Sequence, residues 1–461
     1  MIKKASRIGL ILFALILVMG LIIAGCSRTG SASGGAGTSG VSVKGANITV
    51  SSWWSTYNVD TFEPRDEGEA RDLDRRKKLL SDQGFNFQVV ELSDWDNYLP
   101  LVSAAIMSGN KQYQIFELGA NMAVTLYKQG LLYPISDSKA VNLKNRTVVP
   151  NVSPMYNGLI DELMTFGGKT YGWQYGLPNN GWGQAMLFFN TKHLTDIGLS
   201  PDYIYDLQKN NNWTWDTFLD LCRKLTRDTN NDGITDIYAL PCDDAREFIK
   251  GLVFGNGGNF VTFDAQGRAQ NATNSPAVLE ALAFFNTLIN EGLVLTTPEY
   301  DWGWNWTAFY DQQVAMTFDP EWRKGQAQEQ FDGGYVLPPR GARSSQIRLD
   351  AIDNVYAIAN IFSPAEVDVI LKAAEMWWTP MDDDWLSGHF WASRNLRDVT
   401  ETVAMSRDAQ YLTPRNFAMI PGYPYDDFIN EFRNGLGSTS PAAHVEKWAP
   451  QLQAAINDFN R

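Results

Sequence analysis

The chain has 461 residues, with 52 acidic against 38 basic side chains and a formal net charge of −14. That balance excludes a nucleic-acid surface, which needs clustered Lys and Arg to displace counterions from phosphate, and it disfavours an anionic ligand. With 13% aromatic and 20% charged residues and no internal repeat, the body reads as globular and long enough for two domains.

Lys3, Lys4 and Arg7 precede an uncharged run from Ile8 to Gly25, the charged head and apolar body of an export signal. An uncleaved membrane-spanning helix is the alternative, since about 20 apolar residues suffice. The run ends in Ile23-Ala24-Gly25-Cys26 and changes at once to Gly, Ser and Thr. Those four residues resemble the bacterial lipoprotein signal, which implies cleavage before Cys26 and lipidation of that cysteine. One acyl chain holds a protein only marginally, so a diacylglyceryl group would be needed for a stable anchor. Residues 1–25 are thus expected to be a signal peptide and 26–45 a Gly/Ser tether with no core to bury.

"ANITVSSWWS" (46–55) reads as a first strand running into an aromatic loop, and "DEGEARDLDRRKKLLSDQG" (66–84) as a charged helix closed by Gly84. "FNFQVVEL" (85–92) alternates as a second strand. A helix in "YLPLVSAAIMSGN", a strand in "YQIFELG" and a helix from Asn121 to Gly130 follow. Alternation at this spacing predicts an α/β layer with a largely parallel sheet. Further helices are predicted over 214–228, 275–292, 363–379 and 440–459, three of them opening with Ser-Pro. Pro450 is expected to kink or divide the last.

Cys222 and Cys242 either close a disulfide loop of about 20 residues, stabilising by about 3 kcal/mol, or are two buried thiols. "DTNNDGITD" (228–236) reads either as a solvated turn or as a calcium loop. In the second case Asp228, Asn230, Asp232, the Ile234 carbonyl and Asp236 are the candidate ligands, with Gly233 at the sharp turn; Ala239 where an EF-hand needs Glu excludes a full EF-hand. No other cofactor is indicated.

Several stretches, in order, look like one family. "YGWQYGLPNNGWGQAMLFFNTKHLTDIGL" (171–199), "NWTWDTFLDLCRKLTRDTNNDGITDIYAL" (212–240), the segment from Gly251 to Val294, and "QQVAMTFDPEW" (312–322) resemble the family 1 bacterial extracellular solute-binding proteins, the maltose-binding-protein-like group. The resemblance implies an α/β, two-lobe periplasmic-binding-protein-like fold (type II) whose discontinuous lobes are joined by crossing strands. By it, 46–182 plus 355–412 form an N-terminal lobe and 183–354 plus 413–461 a C-terminal lobe, with crossings near 177–188, 353–359 and 413–421. It further implies a monomer at the cell membrane that closes on a sugar or oligosaccharide and delivers it to an ABC permease.

A pyranose offers apolar C–H faces and a belt of hydroxyls, so its site needs flat aromatic rings and planar polar groups. Sixteen Trp supply the rings, although core packing competes for each. Trp53 and Trp54 follow the first strand and, being adjacent on extended chain, cannot both face the core. Tyr57 and Asn58 continue that loop. Trp182 lies in a loop at the first crossing. Trp302, Trp304 and Trp306, at spacing two, read as rings on one strand face or an extended wall. The resemblance singles out Trp322 as a stacking residue, with Asp319 before it. It adds Glu117 and Asn121 at a strand end, and more weakly Asp243, Asp244, Tyr423 and Tyr425. A binding protein for a non-sugar solute such as a peptide is one alternative, and two other classes compete. A secreted glycosidase would need a carboxyl pair such as Asp319 and Glu321, but G-x-S-x-G, H-E-x-x-H and P-loop motifs are missing, so no enzyme is expected. An adhesin would not explain the ordered motifs.

Overall fold

The computed structural model describes residues 41–54, 56–64, 67–140, 163–174, 184–297, 303–323, 332–351, 354–378, 400–408 and 410–461. The first sheet forms because runs of β-branched and aromatic residues are separated by capped amphipathic helices. β1 (Asn47–Ser52) lies between β3 (Asn86–Glu91) and β4 (Ile115–Gly119), parallel to both. β2 (Tyr57–Asn58) is an antiparallel edge on β3, and β9 (Asn354–Ala357) an antiparallel edge on β4. β4 is buried along its whole length, as a strand covered on both faces must be.

The helices α1 (Glu67–Gln83), α2 (Trp95–Met107), α3 (Ala120–Lys128) and α8 (Pro364–Trp378) accompany this sheet. α1 stops at Gly84, whose φ of +68° needs no Cβ. α2 starts three residues earlier than expected, because the Asp94 side chain accepts the Asn97 amide as an N-cap. Val50, Ile115, Phe116, Leu118, Val355 and Leu371 centre a first hydrophobic core.

A second core forms around β5 (Ala185–Asn190), which pairs antiparallel with β6 (Met316–Pro320) and β7 (Gly333–Val336). It packs against α4 (Trp215–Leu225), α5 (Ala245–Gly255), α6 (Pro276–Asn290), α7 (Trp304–Tyr310), α10 (Tyr425–Asn434) and α11 (Pro441–Phe459). Residues 41–461 nonetheless cluster as one compact unit.

The chain passes between the cores over very few residues. β8 (Leu349–Ala351) belongs to the second core and β9, which begins three residues after β8 ends, to the first. β10 (Leu412–Pro414) pairs parallel with β8, and Met419 just beyond it packs on the first core. Val403, on α9 (Thr400–Arg407), and Leu412 lie in the second core, so part of the 355–412 segment expected in the N-terminal lobe packs with the other one. At the end of the chain, Lys128 of α3 donates to the carbonyls of Asp458 (3.0 Å) and Phe459 (2.6 Å) in the last turn of α11.

Three local expectations are corrected. Pro450 does not divide α11, which runs unbroken from Pro441 to Phe459. Both Pro450 and Glu446, whose carbonyl loses its amide partner, are exposed to water, which supplies the missing hydrogen bond. Trp304 and Trp306 are on a helix, not a strand. Gly303, at φ +90°, opens α7, and Trp306, Phe309 and Tyr310 gather their rings at helical spacing. Ser275 and Ser440 precede Pro-initiated helices without making side-chain caps. Cys222 and Cys242 are free buried thiols, and burial pushes Cys242 up to about 12. Among the described residues no helix is long and apolar enough to cross a membrane.

Candidate functional site

The carboxyl ends of parallel strands are where open α/β sheets hold ligands, and here β1 and β4 end among aromatics. Trp53 and Trp54 leave β1 in opposite directions. Trp53 packs edge-on against Trp95 (4.9 Å between centroids) and Tyr98 (5.5 Å) on the α2 side. Trp54 is 49% exposed. Trp95, 43% exposed, opens α2 and lies over Gly119, where an added Cβ would come within 2.6 Å of its ring. Sequence reasoning missed Trp95, although the Asp94 cap before it was the available signal.

Glu117 sits beneath this edge. The register pairs Ser51 with Phe116 and Tyr356 with Glu117, so Ser52, Glu117 and Tyr356 form one row across β1, β4 and β9. Glu117 is buried, with the polar side chains of Trp54, Tyr356 and Ser52 placed as donors that favour its ionised form. Burial outweighs these donors and pushes the carboxyl up to about 7. Asn121 follows on α3, its side chain accepting the Met122 amide at 2.8 Å.

In the second core, Asp319 on β6 is buried and accepts from the Thr317 hydroxyl at 2.8 Å. Burial raises it to about 7, against the pull of Arg323 at 3.8 Å. Trp322 lies in the 3-10 turn Glu321–Arg323 directly after β6, and its side chain is outside the described residues. Trp182, Trp302 and Cys26 also lie outside them. Trp304 is half-buried against the second core.

A charged node joins the crossings. Asp350 of β8, which is fully buried, accepts the Ala185 amide of β5 (3.1 Å) and the guanidinium of Arg415, just after β10 (Nε at 2.9 Å). Lys250 of α5 lies 3.7 Å away and bridges to Glu247. The two cations hold the Asp350 carboxyl below the usual range despite its burial.

Other expected residues are committed elsewhere. Tyr57 packs on Phe62 and Trp377, away from the strand ends. Asn58 caps the Asp60 amide and lines a polar cavity with Thr49, Asn86 and Gln88, whose side chains pair among themselves or with β1. Asp243 is an inner ion pair with Arg433 at 3.0 Å, and Asp244 caps α5 while binding Arg246. Tyr425 stacks on Phe417 and donates to the Arg246 carbonyl. Tyr423 is half-buried against the second core, its hydroxyl enclosed there. Trp306 is 4% exposed. Glu321, the second acid of the imagined glycosidase pair, is fully buried and receives the Tyr335 hydroxyl. In the 228–236 loop, Asp228 accepts the amides of Asn230, Asn231 and Gly233, Asp232 that of Ile234, and Asp236 that of Thr229. Among the described residues no three His, Cys, Asp or Glu side chains converge as metal ligands.

Two α/β cores are thus joined by short crossings, with open aromatic surface at the strand ends of one and a buried acid beside a turn in the other. The chain belongs to the bacterial extracellular solute-binding proteins, whose family model matches residues 75–367. No curated protein sequence matches it. Among solved structures, it is similar to an ABC substrate-binding protein from Listeria monocytogenes in complex with cycloalternan (16% identity, TM-score 0.59, covering 90% of this chain and 98% of that one). It is also similar to a cyclic α-maltosyl-1,6-maltose binding protein from Arthrobacter globiformis (15%, 0.63, 90% and 99%) and to UgpB from Mycobacterium tuberculosis in complex with glycerophosphocholine (14%, 0.60, 90% and 99%). These likenesses establish the type II binding-protein fold.

Proposed function

We propose that the protein captures a sugar or oligosaccharide outside the cytoplasm, as a monomer anchored through lipidated Cys26, and presents it to an ABC permease without altering it. The observation that carries this reading is the edge at Trp53, Trp54 and Trp95, where two tryptophans keep nearly half their surface open. Rings that large are normally buried unless they meet a ligand, and a flat ring matches the C–H face of a pyranose. Buried Asp319, beside the turn that bears Trp322, offers an acceptor for hydroxyls from the opposite core. Cycloalternan and cyclic maltosyl-maltose, the ligands named for two structural relatives, are carbohydrates.

The test is a thermal-shift and calorimetric screen of residues 27–461 against maltotetraose, chitin oligosaccharides, monosaccharides and glycerophosphocholine, with the ligand analysed afterwards. A ligand at 100 times its Kd stabilises by about 2.7 kcal/mol. A sugar that stabilises and is recovered intact supports the proposal. Cleaved sugar would make the protein an enzyme, and a response to glycerophosphocholine alone would move the substrate class.

A further inference from the structure

We propose that Lys128 is a latch between the two cores: its ammonium, seated on the last carbonyls of α11, holds them in the orientation seen here and lets go when they move about a solute. The inference deepens the reading of the protein as a capture device, on which it rests, by naming a contact that governs the motion.

Lys128 closes α3, whose Ala123, Val124 and Leu126 are buried in the first core, whereas α11 belongs to the second through Val445, Leu452 and Ile456. Its own helix does not need the side chain. The carbonyls of Thr125, Leu126 and Tyr127 already accept from the Gln129, Leu131 and Gly130 amides, and that of Gly130 accepts from the Asn360 side chain. The ammonium crosses instead to the Asp458 and Phe459 carbonyls, at 3.0 and 2.6 Å. Two helix C-termini thus meet at one cation, each with a partial negative charge of up to about half an electron. Without that cation, two ends of like sign are left together. Neither end can follow the other. Asn460 accepts the Ala269 amide (2.8 Å) and donates to the Ala269 carbonyl (2.9 Å), which ties the end of α11 to the strand Ala269–Asn271 of the second core. A rotation of one core against the other therefore pulls on a contact fixed at both sides. Phe459, whose ring centroid is 5.2 Å from the ammonium, packs on Phe263 at 5.8 Å, and both rings touch both cores. Such an apolar seam is non-directional and lets the cores slide, while hydrogen bonds to the ammonium are directional and resist it. α3 starts at the strand-end edge with Ala120, and its rise carries Lys128 about 12 Å away, so the latch is separate from the aromatic wall.

The test needs no ligand. In residues 27–461, which contain both cores, Ala104→Cys on α2 and Ala283→Cys on α6, both at exposed positions, carry one spin label on each core. The same chain without the two added cysteines gives the background from buried Cys222 and Cys242. Dipolar EPR should show one principal distance. Lys128→Met, which keeps the stem and removes the charge with its donors, should raise the ratio of molecules away from that distance to molecules at it about tenfold, equivalent to about 1.4 kcal/mol. Lys128→Arg, which keeps a cation with donors, should return most of that change. Lys128 is exposed, so neither variant disturbs a core. An unaltered distribution in Lys128→Met overturns the proposal, as does a Lys128→Arg distribution no nearer to wild type than that of Lys128→Met. So does a wild type already spread evenly over several distances. Failure of every sugar in the ligand screen would refute the substrate reading and leave these distances unaffected.

Discussion

Replacing Asp350 by Asn perturbs one atom at the place where the crossings meet. The asparagine keeps an acceptor for the Ala185 amide and turns an NH2 toward the Arg415 guanidinium, which loses the Asp350 carboxylate. Arg415 and Lys250 are both buried, so neither can recover its hydration. Removing one member of a buried pair costs about 3 to 5 kcal/mol; because Lys250 keeps Glu247, the lower figure of about 3 kcal/mol is expected for Asn. Asp350→Ala adds an unsatisfied Ala185 amide and should cost about 1 kcal/mol more. Urea unfolding at pH 7 measures both. The pH dependence supplies the sign. Asp350 titrates lower folded than unfolded, so its stabilisation is present above the ordinary aspartate range and disappears as pH falls through its folded value. The deficit of the Asn variant should therefore shrink below about pH 4. A deficit under about 1 kcal/mol at pH 7, or one independent of pH, would refute the assignment of this node as the linchpin of the crossings.

Trp54→Ala and Trp95→Ala should each weaken sugar binding by about 1 to 3 kcal/mol, read by calorimetry, while lowering Tm by no more than a degree or two, because both rings are already nearly half in water. Gly119→Ala would drive its methyl into the Trp95 ring. That ring can swing toward solvent, so lost affinity with a stability change under about 1 kcal/mol is expected, and unchanged binding would argue against Trp95 as part of the wall. Asp319 titrates near 7 when folded, so the unfolded chain releases its proton first and stability falls as pH rises from about 5 to 7.5. Buried His193, lowered to about 4, opposes this in the wild type, so the readout is the difference from Asp319→Asn, which should move by about 2 kcal/mol in the variant's favour between pH 5.5 and 7.5. The 228–236 loop is already closed by its own amides, and neither calcium nor chelator should shift Tm; saturable stabilisation by calcium would show that the loop is a metal site.

Much of the architecture was legible because it is written in local signals. The alternation in 46–135, the helical pattern from 214 and the Gly84 stop all act within a few residues, and the corresponding elements appear within a few positions of where they were expected. The site was less legible because its residues meet only through strand register. That Trp53 and Trp54 must diverge follows from extended geometry, but which of them packs inward depends on Trp95 and Tyr98, more than forty residues away. The Trp-rich 302–306 stretch misled because five residues fit a period of two and a period of 3.6 alike, and Gly303 decided between them. Asp243 and Asp244 looked like site acids until Arg433 and Arg246 came into place from elsewhere in the fold or along the helix.

The grip of Lys128 on the last turn of α11 uses two backbone carbonyls, with the ammonium 5.2 Å from the centroid of the Phe459 ring. Those oxygens are available only because the helix ends there, leaving its final acceptors without amides of its own. The helical stop is therefore a requirement of this contact, and so is the ring at 459, which also meets Phe263. A fusion partner that continued the helix past Arg461 would bring its own amides to the Asp458 and Phe459 carbonyls and take them from Lys128. A glycine-rich junction would leave them in place. The choice of linker, ordinarily a matter of convenience in tagging such a protein, thus decides whether the end of the chain remains fastened to α3.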